Sequence, residues 1–392
     1  MKDISNILSK EKEFLLHTYN RIPLEISHGE GVYLISKDGK KYLDFFSGLA
    51  VNALGYGNPL IINAIEEQIR KYIHLSNYYI NQPQIELAER LVKYSGLSKV
   101  FFANSGTEAV EASLKLIRKA LGPGKKIITF SNAFHGRTYG SLSLSGKEKY
   151  KKHFAPLLEN IIQIEFNDIK QLKANINSDT AAVYIEFIQG EGGIRIASNQ
   201  FIEKLEELRK KYSFVLVADE VQSGIGRTGK PFAYNHFNIE PDLVIVAKAI
   251  GGGLPLGALI TNKKYSDVFQ AGDHGSTFGG NPVACAAGLV VAKEVFEKDL
   301  MNSVERLGAD FISKLNQLRL RFPNKIKEVR GLGFMLGVEM NIPCHKLVNE
   351  FREKGILVNC TSENVIRILP PLISQKENID HFITVFNKYL TQ

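Results

Sequence analysis

The chain predicts an α/β fold, a mostly parallel sheet covered by helices on both faces, with a smaller α+β domain assembled from the two chain ends. Three observations carry this. The middle of the 392-residue sequence alternates short apolar runs with helical patterns. Those runs are continuously apolar rather than alternating, as strands buried on both faces are. The two ends then change character, to a hairpin at one and to long helices followed by short strands at the other.

Taken in order, GVYLISKDGKKYLDFF (31–46) reads as a hairpin turning at Asp38-Gly39. The buried strands are KVFFA (99–103), KIITF (126–130), AVYIEF (182–187), FVLVAD (214–219), LVIVA (243–247) and GALIT (257–261). Helices over 107–120 and 199–212 cross between them, the first with an apolar stripe of Val110, Leu114 and Ile117. Beyond Pro282 the pattern gives helices over 283–299 and 303–321, then short strands near 327–340 and 356–369. The division expected is 1–55 contributing to the small domain, 56–281 forming the large domain, and 282–392 completing the small one.

Apolar content of 44% and charged content of 23% are those of a soluble globular protein. The net charge of +8 comes from dispersed lysines, without the basic runs of a nucleic-acid surface. No apolar run approaches the ~18 residues of a membrane span, and MKDISNILSKEKEF lacks the apolar region of a secretory signal. Cys285, Cys344 and Cys360 form no CxxC pair and suit a reducing compartment, so the cytoplasm is expected. No metal-ligand spacing appears among the nine histidines.

Lys248 carries the most chemistry. It ends an apolar strand directly before AIGGGLPLGA, where burial of an ammonium depresses its pKa and turns the amine into a nucleophile toward aldehydes. FVLVAD ends likewise on Asp219, 29 residues earlier, so two strands deliver an acid and a lysine to one sheet edge. A Schiff-base lysine with an acidic partner for a pyridinium nitrogen is the protein half of pyridoxal 5'-phosphate (PLP) chemistry. NSGTE (104–108) offers a phosphate the free N–H groups of a helix start, though taken alone it reads more readily as an ordinary cap by Ser105 or Thr107. AFHGRT (133–138) supplies an aromatic ring and an arginine, and IQGEGG brings Glu191 near Glu186, both suited to neutralising Arg137 or Arg367. STFGGNP (276–282) is a second hydroxyl- and glycine-rich turn before a helix. The GxGxxG at Gly224, Gly226 and Gly229 would signal a dinucleotide site, but it leads into Lys230-Pro231 rather than an apolar helix.

These strings, with DFFSGLAVNALGYGNP, VRGLGFMLGVE and IRILPPL, resemble in order and spacing the class III (ω-amino acid) aminotransferases of PLP fold type I, over nearly the whole chain. The resemblance implies a homodimer with shared active sites. Lys248 would form the Schiff base and Asp219 would keep the pyridine nitrogen protonated. Gln222 would contact the phenolic oxygen, Val221 and Phe134 would take opposite ring faces, and Gly106 and Thr107 would hold the phosphate. Thr277 would reach that phosphate from the other subunit, with Ser276 beside the substrate. Arg137 would bind the distant α-carboxylate of an ω-amine donor, and Arg367 the near one of glutamate, with Glu191 pairing Arg367 until glutamate arrives.

Leu49 stands where ornithine-specific relatives carry a tyrosine, which favours an N2-acylated donor. N2-acetylornithine is therefore the expected donor and 2-oxoglutarate the acceptor, in arginine biosynthesis. Tyr19 is placed at the substrate end, and Phe187 departs from a common proline. Ornithine, succinylornithine, N-succinyl-diaminopimelate and 4-aminobutyrate stay open as donors. A racemase or mutase, a non-catalytic binding protein of the same fold and a nicotinamide oxidoreductase are the rival classes.

Overall fold

The computed structural model describes residues 2–391. Its central sheet has seven strands, in the spatial order Lys99–Ala103, Gly257–Thr261, Leu243–Val246, Val215–Asp219, Thr180–Ile185, Lys126–Phe130 and Ile161–Ile164. The last five run parallel. Gly257–Thr261 runs antiparallel to both neighbours. Its reversal follows from the chain: a parallel neighbour needs a crossover of about a dozen residues or more, and only the 247–256 segment is available. Every residue of Thr180–Ile185, Val215–Asp219, Leu243–Val246 and Gly257–Thr261 is buried, which accounts for their unbroken apolar sequences. The third expected strand, AVYIEF, ends at Ile185, leaving Glu186 just past it. Ile161–Ile164 escaped the sequence reading because it is a short, partly exposed edge strand interrupted by Gln163.

Helix boundaries follow local chemistry. Ser105 caps Gly106–Leu121, and Ser198 caps Asn199–Tyr212. Asn281 accepts from the N–H groups of Val283 and Ala284 at the start of Pro282–Phe296, whose proline occupies the first turn. This helix packs on Pro59–Lys71 and Gln82–Ser95.

The chain ends interlock. Tyr33–Ser36 and Lys41–Asp44 form the expected hairpin, turning through Gly39 at φ +82°. Lys41–Asp44 also pairs in parallel with Ile356–Leu357 from the far end of the chain. A second four-stranded sheet runs Ile326–Leu332, Met335–Met340, Val365–Ile368, Asn359–Thr361. Phe45 from the N-terminal segment joins Phe311, Phe351, Phe382 and Phe386 in one aromatic cluster, with Phe382 at 5.7 Å from Phe45 and 5.1 Å from Phe351.

The cysteine expectation needs correction. Cys344 and Cys360 are joined in a disulfide, and Cys285 is the free, buried thiol. Strand Asn359–Thr361 and its following turn come back against the start of helix His345–Glu353, where the Cys344 N–H donates to the Glu363 carbonyl. That approach is tertiary, so no sequence spacing announces it.

Phe382 is fully buried at the centre of the aromatic cluster, whereas Phe154 is 48% exposed. Phe382→Ala is expected to lower the unfolding free energy by about 3–5 kcal/mol, and Phe154→Ala by no more than about 0.5 kcal/mol. Urea unfolding of both variants checks the difference.

Candidate active site

A cavity of about 470 Å³ opens beyond the carboxyl ends of the parallel strands. Lys248, Asp219, Gly106, Thr107, Phe134, Val221, Gln222, Arg137 and Glu191, all named from the sequence, line it.

Lys248 follows strand Leu243–Val246 with φ +52°, a left-handed conformation that costs an ordinary residue about 1–3 kcal/mol. It opens a 3-10 turn, Lys248–Gly251, which closes through left-handed Gly252. Burial pulls its amine down to about 8, and nearby Arg367 adds to this; Glu191, Asp219 and Glu186 oppose it.

Asp219 is buried at the end of its own strand. One carboxylate oxygen lies 2.7 Å from His135 Nδ1, and the other accepts the Val221 N–H at 3.1 Å. Burial works against a charged His135, but the Asp219 hydrogen bond and charge together outweigh it and raise its pKa. His135 Nε2 has no hydrogen-bond partner among the described residues. The imidazole is thus held from one side, against the aspartate.

Gly106 and Thr107 are the first residues of their helix, where backbone N–H groups lack intrahelical acceptors. A Cβ at Gly106 would stand 2.9 Å from Val221 Cγ2, so glycine lets the helix start approach the cavity. Thr107 Oγ1 sits 2.6 Å from Ser141 Oγ and 2.9 Å from Thr138 Oγ1, a group of hydroxyls at the positive helix end.

Arg367, 1% exposed, reaches in from strand Val365–Ile368 of the small sheet. Its Nη1 donates to Glu191 Oε1 at 2.6 Å and to Gln222 Oε1 at 3.2 Å, and its Nε to Asn359 Oδ1 at 3.0 Å. Burial opposes ionisation of Glu191, but Arg367 more than offsets this and holds the carboxyl below its ordinary range. Glu186 does not pair with an arginine. It accepts the Phe134 N–H at 2.9 Å and the Gly190 N–H at 3.1 Å, and burial raises its pKa. Arg137 has no carboxylate partner among the described residues; its guanidinium lies 3.9 Å from the Tyr150 ring centre and is exposed.

Four sequence-named site residues lie outside the cavity lining: Arg367, which meets it through Glu191 and Gln222, and Ser276, Thr277 and Tyr19. Ser276 is one step back, its hydroxyl accepting from Asn104, which does line the cavity. Thr277 is exposed. Tyr19 is 69% exposed and stacked under Arg21. Leu49 is half-buried inside a left-handed turn, Ser47–Ala50, and Val51 is the cavity residue of that segment. Phe187 is fully buried against Phe237 and Tyr234. The GxGxxG segment is a series of turns, with Arg227 buried and donating to the Phe334 and Pro370 carbonyls rather than cradling a nucleotide.

The Aminotransferase class-III family model matches residues 15–390. The chain belongs to the class-III aminotransferases. It is 48% identical over 382 residues to an acetylornithine aminotransferase of Aquifex aeolicus, covering 96% of this chain and 100% of the relative. The Methanocaldococcus jannaschii acetylornithine aminotransferase is 43% identical, over 99% of this chain and 98% of the relative. Among solved structures, an ornithine aminotransferase of Toxoplasma gondii superposes with a TM-score of 0.94 at 29% identity, covering 99% and 95% of the two chains. The acetylornithine aminotransferase of Elizabethkingia anophelis gives 0.89 at 33%, covering 99% of each. The fold is therefore PLP-dependent transferase fold type I, and this aminotransferase is PLP-dependent.

The cavity fits that cofactor on its own chemistry. It offers a desolvated amine, a buried carboxylate braced by a histidine, a helix start open to a phosphate, and an aromatic ring at Phe134 with an apolar side chain at Val221. Sequence reasoning missed the His135 brace and the dual anchor at Glu186; AFHGRT and AVYIEF contain both, but nothing in either string names the partners.

The uncharged amine is the reactive form, so nucleophilicity at Lys248 should rise through pH 8. Competitive acetylation of the cofactor-free protein, read at Lys248 by mass spectrometry, is expected to give a midpoint near 8; one near 10.5 would contradict the burial argument.

Proposed function

We propose that this aminotransferase moves the δ-amino group of N2-acetylornithine to 2-oxoglutarate, giving N-acetylglutamate 5-semialdehyde and glutamate, as a step of arginine biosynthesis. The observation that carries the reading is the Glu191–Arg367 pair at 2.6 Å beside the exposed, carboxylate-free Arg137. The names and near-complete coverage of the relatives support it.

One site must accept two substrates whose α-carboxylates lie at different distances from the reacting nitrogen. An ω-amine donor carries its α-carboxylate far from the reacting nitrogen, within the province of Arg137, while Glu191 keeps Arg367 neutralised. Glutamate carries its α-carboxylate close to the reacting nitrogen, and Arg367 takes it once Glu191 withdraws. When bound, PLP supplies an aldehyde for amine condensation and a ring that draws electron density from the donor carbon. Gly106 and Thr107 would hold its phosphate, Phe134 and Val221 would flank the ring, and Gln222 would lie toward its phenolic oxygen. Asp219 would keep a proton on the ring nitrogen, and His135 holds Asp219 in place. Lys248 Nζ carries the proton that leaves the donor carbon. Val51, the cavity residue of the segment that carries Leu49, presents no hydroxyl to the donor's far amine, which suits an acylated nitrogen over a free one.

A second copy of the chain is the partner we propose for the apolar groove lined by Ile69, Ile73, Leu254, Pro255 and Phe278. Tyr78, Tyr79 and Ile80 are 96%, 67% and 84% exposed, and Thr277 of one copy would reach the phosphate turn of the other. No helix among the described residues is long and apolar enough to cross a membrane. The reading extends to the cytoplasm; the Cys344–Cys360 disulfide is the contrary observation, since such bonds persist mainly in oxidising compartments.

Single-turnover cofactor absorbance tests the reading. The PLP-loaded protein should respond fully to N2-acetylornithine and to glutamate, each added without keto acid, and slowly to ornithine. A faster response to ornithine or 4-aminobutyrate would overturn the donor assignment. Glu191→Ala should slow the N2-acetylornithine half-reaction by about tenfold or more, the scale of one charged hydrogen bond, and the glutamate half-reaction by less. Equal losses would remove Glu191 from the switching role.

A further inference from the structure

We propose that Lys147 is a positioning residue that receives the Glu191 carboxylate when the α-carboxylate of glutamate occupies Arg367. The inference rests on the two-carboxylate reading above and names what that reading leaves without a partner. A carboxylate displaced from Arg367 has to go somewhere, because its side chain is only 25% exposed and an unpaired anion there is costly.

The two ends of the pair are provided for differently. Arg367 keeps neutral acceptors, Asn359 Oδ1 and Gln222 Oε1, whether or not Glu191 is present. The Glu191 backbone is pinned, because its carbonyl accepts from Lys147 Nζ at 2.5 Å, Thr361 Oγ1 at 3.0 Å and Ser362 Oγ at 3.1 Å. With the backbone fixed by three donors and the carboxylate held by Arg367 alone among arginines and lysines, displacement swings the side chain about a stationary Cα.

Lys147 is the charged donor of those three. Its ammonium is bound to the carbonyl of the very residue whose side chain must move, and it closes no ion pair among the described residues. Lys248 is the other lysine whose charge Glu191 feels, but its amine is committed to the reaction. Burial pulls the Lys147 pKa down while Glu191 opposes this, so an arriving carboxylate would restore a counter-charge that the half-buried ammonium lacks. Without the charge at Lys147, Glu191 would cling to Arg367 and compete with glutamate.

Half-reactions of the PLP-loaded full chain test this. Lys147→Gln should raise the apparent Kd for glutamate about tenfold, the scale of losing one partly buried ion pair, and leave that for N2-acetylornithine within about twofold. Lys147→Arg should restore most of the loss. In a Glu191→Gln background, where no charge relocates, Lys147→Gln should add nothing to the glutamate effect. Equal losses in both half-reactions would mean that Lys147 merely anchors the backbone, and no loss in either would mean that it does neither; both overturn the proposal. Should Glu191→Ala fail to separate the half-reactions, the switch itself falls and this role with it. If Glu191→Ala separates them and Lys147→Gln does not, only the Lys147 assignment falls.

Discussion

Desolvation of the Lys248 amine is the constraint around which the molecule is arranged. An ammonium at the end of a buried strand is unfavourable, and the fold accepts that cost together with a left-handed backbone at the same residue. Both are tolerable because the strands on either side are entirely buried and pack as a rigid frame. The carboxylates of Asp219, Glu186 and Glu191 temper the desolvation without closing on the lysine, so the amine stays available. A tight ion pair at that point would have stabilised the fold and disabled the nucleophile.

The second organising fact is that the two halves of the carboxylate switch come from different sheets. Glu191 follows the short strand Ile188–Gln189, just beyond Thr180–Ile185 of the central sheet, whereas Arg367 lies on Val365–Ile368 of the small one. Arg330, also on the small sheet, donates to the Gly193 carbonyl just beyond Glu191, and its own charge is balanced by Glu328 and Glu339. Arg227 donates in the opposite sense, from the large side to the Phe334 and Pro370 carbonyls. These contacts fix the register between the parts, leaving the Glu191 side chain as the element with somewhere to move.

Much of this was legible in the sequence because burial writes itself directly into composition. Strands such as LVIVA and FVLVAD are recognisable since both their faces are covered, and their terminal Lys248 and Asp219 stand out against that background. The helix starts at Gly106 and Asn199 are legible through Ser105 and Ser198. What was not legible depends on three-dimensional return of the chain. His135 meets Asp219 across 84 positions, and Cys344 meets Cys360 only once a strand has folded back. Glu186 and Arg137 were expected to need opposite charges; backbone N–H groups satisfy the first and the Tyr150 ring covers the second, and neither kind of partner leaves a trace in residue type. The reversed strand Gly257–Thr261 is a matter of connection length, readable only when its neighbours are known.

Glu186 accepts one N–H from the turn that carries the Phe134 ring and another from the turn that leads to Glu191. The wall that confines the flat face of the site and the pivot of its carboxylate exchange therefore share a common reference point. A displacement of Glu186 would act on both turns through these two hydrogen bonds at once. Alignment in such a site is a property of differences between coordinates, and here one side chain ties the two turns that set them.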